Sequence, residues 1–350
     1  MKKTLWIFGI VVLSFLVVSS VTSKVMYDKS FPRFDRHDET VTSFLRYEDI
    51  EDTYEREVLD FPSDTNDLQG YLYFQEESNG LVVFAHGLGG GADSYINYAK
   101  WFLDHGWSVF MYDATGSYDS EGSTTKGFPQ ALIDLENALD HIRQSDTLGS
   151  LDIMLVGHSW GGYAVANALH LNEEIKSVVS IAAPSNAEDM VFEQTKSMLG
   201  VFAYTQKPFV NLYQRIRFKE YASLDAVEAI NNSDASVLII HGINDEMVQF
   251  DGSALIARKS EIDNEKTEFI TRDDPSRDDH NNLMRSQAAM DYRDEMNLVY
   301  KDLFDTHDGA IPLDIQQAFY EDIDRVLAQE LDEVIMNRIH SQFMEAVNVE

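Results

Sequence analysis

Four short runs in this chain, residues 81–85, 151–156, 177–181 and 236–240, are apolar almost without interruption. Strands of that kind are covered on both faces, which sets them apart from the alternating strands of a half-solvated antiparallel sheet. Further strand-like runs lie at 57–61, 70–74, 108–112 and 268–271. Helical patterns at 95–104, 129–143 and 163–171 stand between several of them. Strand–helix alternation predicts an α/β fold, a mostly parallel sheet flanked by helices. At 350 residues and 44% hydrophobic, the chain has ample material for such a core.

Two segments break the rhythm. Residues 186–232 fall between two sheet strands, read as helices and carry Phe192, Phe202, Tyr204, Phe209, Tyr213, Phe218 and Tyr221, as a cap over the loop end of the sheet would. After residue 285 come two more helical stretches, 284–304 and 312–347. The second shows an i, i+4 stripe (Ile315, Phe319, Ile323, Leu327, Leu331, Ile335, Ile339) that predicts one amphipathic helix packed on the body.

The N-terminus is of another kind. Lys2 and Lys3 precede 20 residues without a charge, Thr4 to Ser23. As a helix at about 1.5 Å per residue this stretch spans the roughly 30 Å hydrocarbon layer. It reads as a single-pass anchor whose basic end stays in the cytoplasm, leaving the rest of the chain outside; the alternative is a secretory signal cleaved near Ser23. Residues 24–54 are polar and mixed in charge and read as a linker. Acidic residues outnumber basic ones 60 to 27, which argues against nucleic acid as a partner. The absence of cysteine excludes disulfides, thiolate nucleophiles and thiolate metal sites.

Chemistry concentrates in four places. Gly157-His158-Ser159-Trp160-Gly161 ends one apolar strand and opens a helix. Gly-x-Ser-x-Gly in that setting puts the serine on a strained turn, with its hydroxyl clear of the sheet and the Trp160 N–H aimed at a developing oxyanion. His86-Gly87-Leu88-Gly89-Gly90-Gly91 follows the strand at 81–85 and offers the Leu88 N–H as a second oxyanion donor; His86 itself reads as structural. A serine nucleophile needs a base and an orienting carboxylate. In the order Ser, acid, His, the acid is Asp245, at the carboxyl end of the strand at 236–240, with Glu246 as competitor. The base is His280, in Asp278-Asp279-His280-Asn281-Asn282; His307 and His340 lie among the C-terminal helices, where packing is the default.

With these motifs in this order, residues 55–285 resemble the α/β-hydrolase superfamily. More narrowly, they resemble the membrane-anchored or secreted bacterial hydrolases related to serine aminopeptidases and monoacylglycerol lipases. The segment from Asp113 to Gly122 resembles the family's D-x-R-G-x-G-x-S loop but lacks its arginine. The resemblance implies a hydrolase core in two parts (55–185 and 233–285) and a helical cap (186–232); the C-terminal helical extension (286–350) departs from the family's minimal pattern. It also implies a Ser159–His280–Asp245 triad with Leu88 and Trp160 at the oxyanion, acting through an acyl-enzyme on an ester or acyl substrate without metal or cofactor. Two other functions compete. One is a peptidase or amidase with the same triad, for which Glu188 and Asp189 are candidates to hold an amino terminus. The other is a catalytically silent surface scaffold that binds a partner through its C-terminal helices; no protein partner is identifiable from the sequence.

Overall fold

The computed structural model describes residues 2–171 and 174–347. Eight strands form one sheet: β1 (Glu57–Ser63), β2 (Asn66–Tyr73), β3 (Leu81–Ala85), β4 (Ser108–Tyr112), β5 (Ile153–His158), β6 (Ser177–Ile181), β7 (Ser236–Gly242) and β8 (Thr267–Arg272). Their spatial order is β1-β2-β4-β3-β5-β6-β7-β8. The β1–β2 and β2–β4 pairs are antiparallel and all the others parallel. Every residue of β3, β4, β5 and β6 is buried, which is the origin of their unbroken apolar runs, whereas the edge strands β1 and β8 keep exposed positions.

Eleven α-helices surround the sheet among the described residues: α1 (Lys2–Ser30), α2 (Ile96–Asp104), α3 (Gln130–Gln144), α4 (Trp160–Asn167), α5 (Ala187–Leu199), α6 (Ala203–Phe218), α7 (Ala226–Asn231), α8 (Gln287–Thr306), α9 (Leu313–Glu321), α10 (Arg325–Ala328) and α11 (Glu333–Val347). Leu135, Leu139 and Ile142 of α3 and Tyr163 and Val165 of α4 cover one face of the sheet. Phe102 of α2 covers the other together with Ile335, Ile339 and Phe343 of α11. Helices α5 and α6 follow β6 where the sequence predicts a cap, and α7 after them packs on α4 before β7 begins. Register does the rest: Ala85 pairs with Gly157 and His158 with Ile181, so the loops after β3, β5 and β6 leave the sheet side by side.

The structure corrects two expectations. Residues 24–54 are not a linker. Helix α1 runs on to Ser30, and the segment after it lies on the body with Phe31, Leu45 and Ile50 buried. Its charges have partners there, which is why they are not a solvated stalk. Arg33 donates to the carbonyls of Ser120 and Gly122 at 2.9 and 2.8 Å, and Arg36 pairs with Asp93 and Asp119. The stripe over 312–347 is likewise three helices, not one. Asp324 accepts the Leu327 N–H at 3.0 Å, and Asp332 accepts those of Val334 and Ile335 at 3.1 and 3.3 Å. Each therefore starts a new helix where the old one would have continued.

Helix α1 has two halves. From Leu5 to Val18 its apolar side chains are exposed, and the helix is long and apolar enough to cross a membrane. Ser19, Ser23 and Tyr27, one turn apart, are buried. Small side chains at two of those turns let α6 approach. Gln206 reaches Ser19 and Ser23 at 3.3 and 3.5 Å, Tyr27 donates to Gln214 at 3.0 Å, and Arg217 pairs with Asp28 at 3.0 Å. The two helices thus run in the same direction.

Candidate active site

Ser159 sits between the last residue of β5 and the first of α4 with φ 56° and ψ −111°, a left-handed conformation rare for a residue with a side chain. Glycine makes the turn possible. A Cβ on Gly161 would stand 2.0 Å from the Ala85 carbonyl oxygen, and one on Gly157 would stand 2.3 Å from that of Gly161. The Ser159 N–H donates to the Ile181 carbonyl at 2.8 Å. Among the described residues the Ser159 hydroxyl makes no hydrogen bond.

Asp245 follows the end of β7 and is buried. Its Oδ1 accepts the backbone N–H groups of Met247 and Val248, both at 2.8 Å. Its Oδ2 accepts His280 Nδ1–H at 2.7 Å and lies 3.2 Å from His241 Nε2. Burial works against the negative charge, but the hydrogen bonds from His241 and His280 outweigh it and hold the carboxyl well below the usual carboxylate range. Glu246 is exposed and takes no part in this arrangement. Asp278 and Asp279 shape the His280 loop: Asp278 accepts the Asn244 amide at 2.7 Å, and Asp279 accepts the N–H groups of Asn281 and Asn282. His340 accepts the Trp107 indole N–H at 3.1 Å, a packing role, and His307 caps the end of α8.

Three residues at this site have no signature in the chain: Tyr95, His158 as a functional group, and His241. His158 is the variable position of the serine motif, yet it ties the site together. Gly87 N–H donates to the Tyr95 hydroxyl at 3.1 Å, and that hydroxyl donates to His158 Nδ1 at 2.8 Å. His158 Nε2–H in turn donates to the His280 carbonyl at 2.9 Å. The glycine loop and the His280 loop are thereby linked, and the His158 and His280 rings stand 4.9 Å apart. His86 accepts the Ala114 N–H at 2.9 Å and donates to the Gly87 carbonyl at 2.8 Å, as a structural residue does. The Trp160 indole is buried and donates to the Phe128 carbonyl at 2.7 Å. Among the described residues the backbone N–H groups of Leu88 and Trp160 meet no protein acceptor.

Leu88 lines two cavities. One, of about 270 Å³, is apolar; Met26 and Phe31 of the N-terminal region, Met190 and Met198 of the cap, and Met247 beside Asp245 face it. The other, of about 480 Å³, is polar, with Tyr95, His158, Asn282, Arg285 and Arg293 on its walls. Among the described residues no group of three His, Asp or Glu side chains is arranged to hold a metal ion.

Residues 76–225 match the family described as serine aminopeptidase, S33. Among solved structures, the Pyrococcus furiosus esterase Pf2001 is similar in two crystal forms. In space group P21 it shows 16% identity and a TM-score of 0.53, covering 79% of this chain and 98% of that one. In space group P212121 the identity and TM-score are the same, covering 71% and 90%. At that identity the likeness is one of fold. No curated protein matches the sequence significantly.

Proposed function

We propose that this chain belongs to the α/β-hydrolase superfamily and is a membrane-tethered serine esterase acting through Ser159, His280 and Asp245. The observation that carries the reading is the buried His280–Asp245 pair, 2.7 Å apart, on loops beside the strained turn of Ser159. Ser159 Oγ attacks the ester carbonyl carbon while His280 Nε2 takes its proton. Asp245 keeps the other ring nitrogen protonated and stabilises the imidazolium. The Leu88 and Trp160 N–H groups receive the oxyanion, a contribution of roughly 3 kcal/mol per donor. The alcohol leaves with the proton from His280, and a water activated by the same histidine releases the acid. The acyl chain occupies the apolar cavity, one wall of which is α1 itself.

The state of the acidic pair favours an ester over a peptide. Glu188 pairs with Arg215 and accepts the Asn211 amide, while Asp189 lies 3.6 Å from Lys207 and accepts from Asn186; neither lines the two cavities at Leu88. An amino terminus would therefore find the acidic pair already satisfied. Ser23, at the signal-cleavage position, is 1% exposed in mid-helix, and this favours an uncut anchor.

The test is labelling of the full chain in mild detergent with a fluorophosphonate, together with hydrolysis of p-nitrophenyl butyrate. Ser159→Ala is expected to abolish labelling, and Asp245→Asn to lower kcat by about 10⁴-fold. A folded wild type that neither labels nor turns over sinks the proposal.

A further inference from the structure

The polar cavity on the other side of Leu88 is chemically unlike the molecule around it. In a chain so rich in carboxylates, most arginines are paired: Arg36 with Asp93, Arg258 with Asp225, Arg272 and Arg277 with Asp332, Arg338 with Glu268. Arg285 and Arg293 are different. Among the described residues neither has a carboxylate oxygen within 4.0 Å. Arg285 donates to the backbone carbonyl of Gln329 at 2.8 Å and to its side-chain oxygen, and Arg293 donates to the Asn282 side-chain oxygen at 2.5 Å. These acceptors are neutral. Two positive charges thus face one cavity without compensation, close enough to disfavour each other. Burial, the larger cause, and then Arg293 push the Arg285 guanidinium down, with Tyr98 and Tyr95 acting the other way, to about 10. Such a pair stands ready for an anion. The N–H groups that these two guanidinium forks keep beyond those given to Gln329 and Asn282 suit the several oxygens of a phosphate better than the two of a carboxylate.

We propose that this cavity receives a phosphate group carried on the alcohol side of the ester, so that the substrate is a phosphate-bearing acyl amphiphile. Leu88 lines both cavities, which places the two ends of such a molecule on opposite sides of the scissile carbonyl. The chain goes toward α1 and the cap, and the headgroup toward Arg285 and Arg293. Hydrolysis consumes one water and yields the fatty acid and the phosphorylated alcohol; the phosphate itself is unchanged. The word substrate rests on the esterase reading, whereas the anion site rests on the two arginines.

Two measurements on the full chain in neutral detergent micelles separate these. The first is the ratio of kcat/KM for 1-oleoyl-glycerol 3-phosphate to that for 1-oleoyl-glycerol, which share one acyl chain. The wild-type ratio is expected above about ten, the size of one charge-assisted hydrogen bond. Arg285→Gln and Arg293→Gln each bring it close to one, chiefly through KM, and Arg293→Lys falls between. Arg325→Gln, outside the cavity, keeps the wild-type ratio. A wild-type ratio at or below one overturns the proposal, as do arginine variants that slow both esters equally. The second measurement is the thermal shift produced by inorganic phosphate, expected for the wild type and lost in both Gln variants. If no ester is turned over and fluorophosphonate labelling fails, this shift still decides the anion site. A shift without lipid preference assigns the cavity to free phosphate and overturns the substrate assignment.

Discussion

Asp245 receives a donor on every side: two backbone N–H groups on one oxygen, and two imidazoles at the other. That arrangement keeps it ionised across any working pH, and it shows what the chain could and could not disclose. Ser159 and its glycines are legible because one strained turn has one local solution. Asp245 and His280 are legible because strand ends collect functional residues. His241, Tyr95 and His158 are not, because their roles exist only once β3, β5 and β7 lie side by side. The buried histidines carry a pH dependence of stability. Burial, outweighing hydrogen bonds to backbone carbonyls, pushes His86 down to about 4; burial and then the neighbouring His280 push His158 down to about 3. Between those values and the ordinary 6.5 the unfolded chain binds protons that the folded one refuses, so stability is complete above about pH 6.5 and falls as the medium acidifies. Asp113, raised by burial to about 6, acts with the opposite sign, so the histidine share is read as a difference. Compared with the wild type, His158→Gln is expected to lose less thermal stability between pH 7 and pH 4; parallel melting curves would remove His158 from the account.

At the scale of elements, the central strands stood out in the chain because burial on both faces leaves a mark that needs no partner to be read. The N-terminal region did not, since Arg33 and Arg36 look solvated until the carbonyls and carboxylates that receive them come into view. The same holds for α9 to α11, where two aspartates turn one apolar stripe into three helices, only the last of which packs along the sheet. Helix α1 is the element with most to test. Met26 faces the apolar cavity from α1, while Leu212 of α6 points to solvent. Met26→Trp is expected to shift the acyl-length optimum of a p-nitrophenyl ester series toward shorter chains, at an overpacking cost of about 1–3 kcal/mol, and Leu212→Trp to leave it in place. An unchanged optimum in Met26→Trp would mean that α1 does not bound the acyl site.

For the whole molecule, the notable segment is 196–219, from the end of α5 through the whole of α6. It carries Lys196, Lys207, Arg215, Arg217 and Lys219 and no Asp or Glu. Its exposed Met198, Val201, Phe202 and Tyr204 lie where α6 begins, beside Ser19 and Ser23 at the end of the apolar run of α1. An apolar surface flanked by basic groups, three of them shared with Glu188, Asp189 and Asp28, suits the face of a bilayer. With the full chain in vesicles, diluting a long-chain ester among inert lipids at constant bulk concentration is therefore expected to slow turnover in proportion; a rate that ignores dilution would place the substrate in solution. As the proposed tether and cavity wall, α1 also holds the cavity at a constant height above the lipid. On the proposed reading the search for substrate becomes planar: encounters scale with how crowded one leaflet is, lateral diffusion replaces capture from the medium, and each copy tends only the patch of membrane within its own drift.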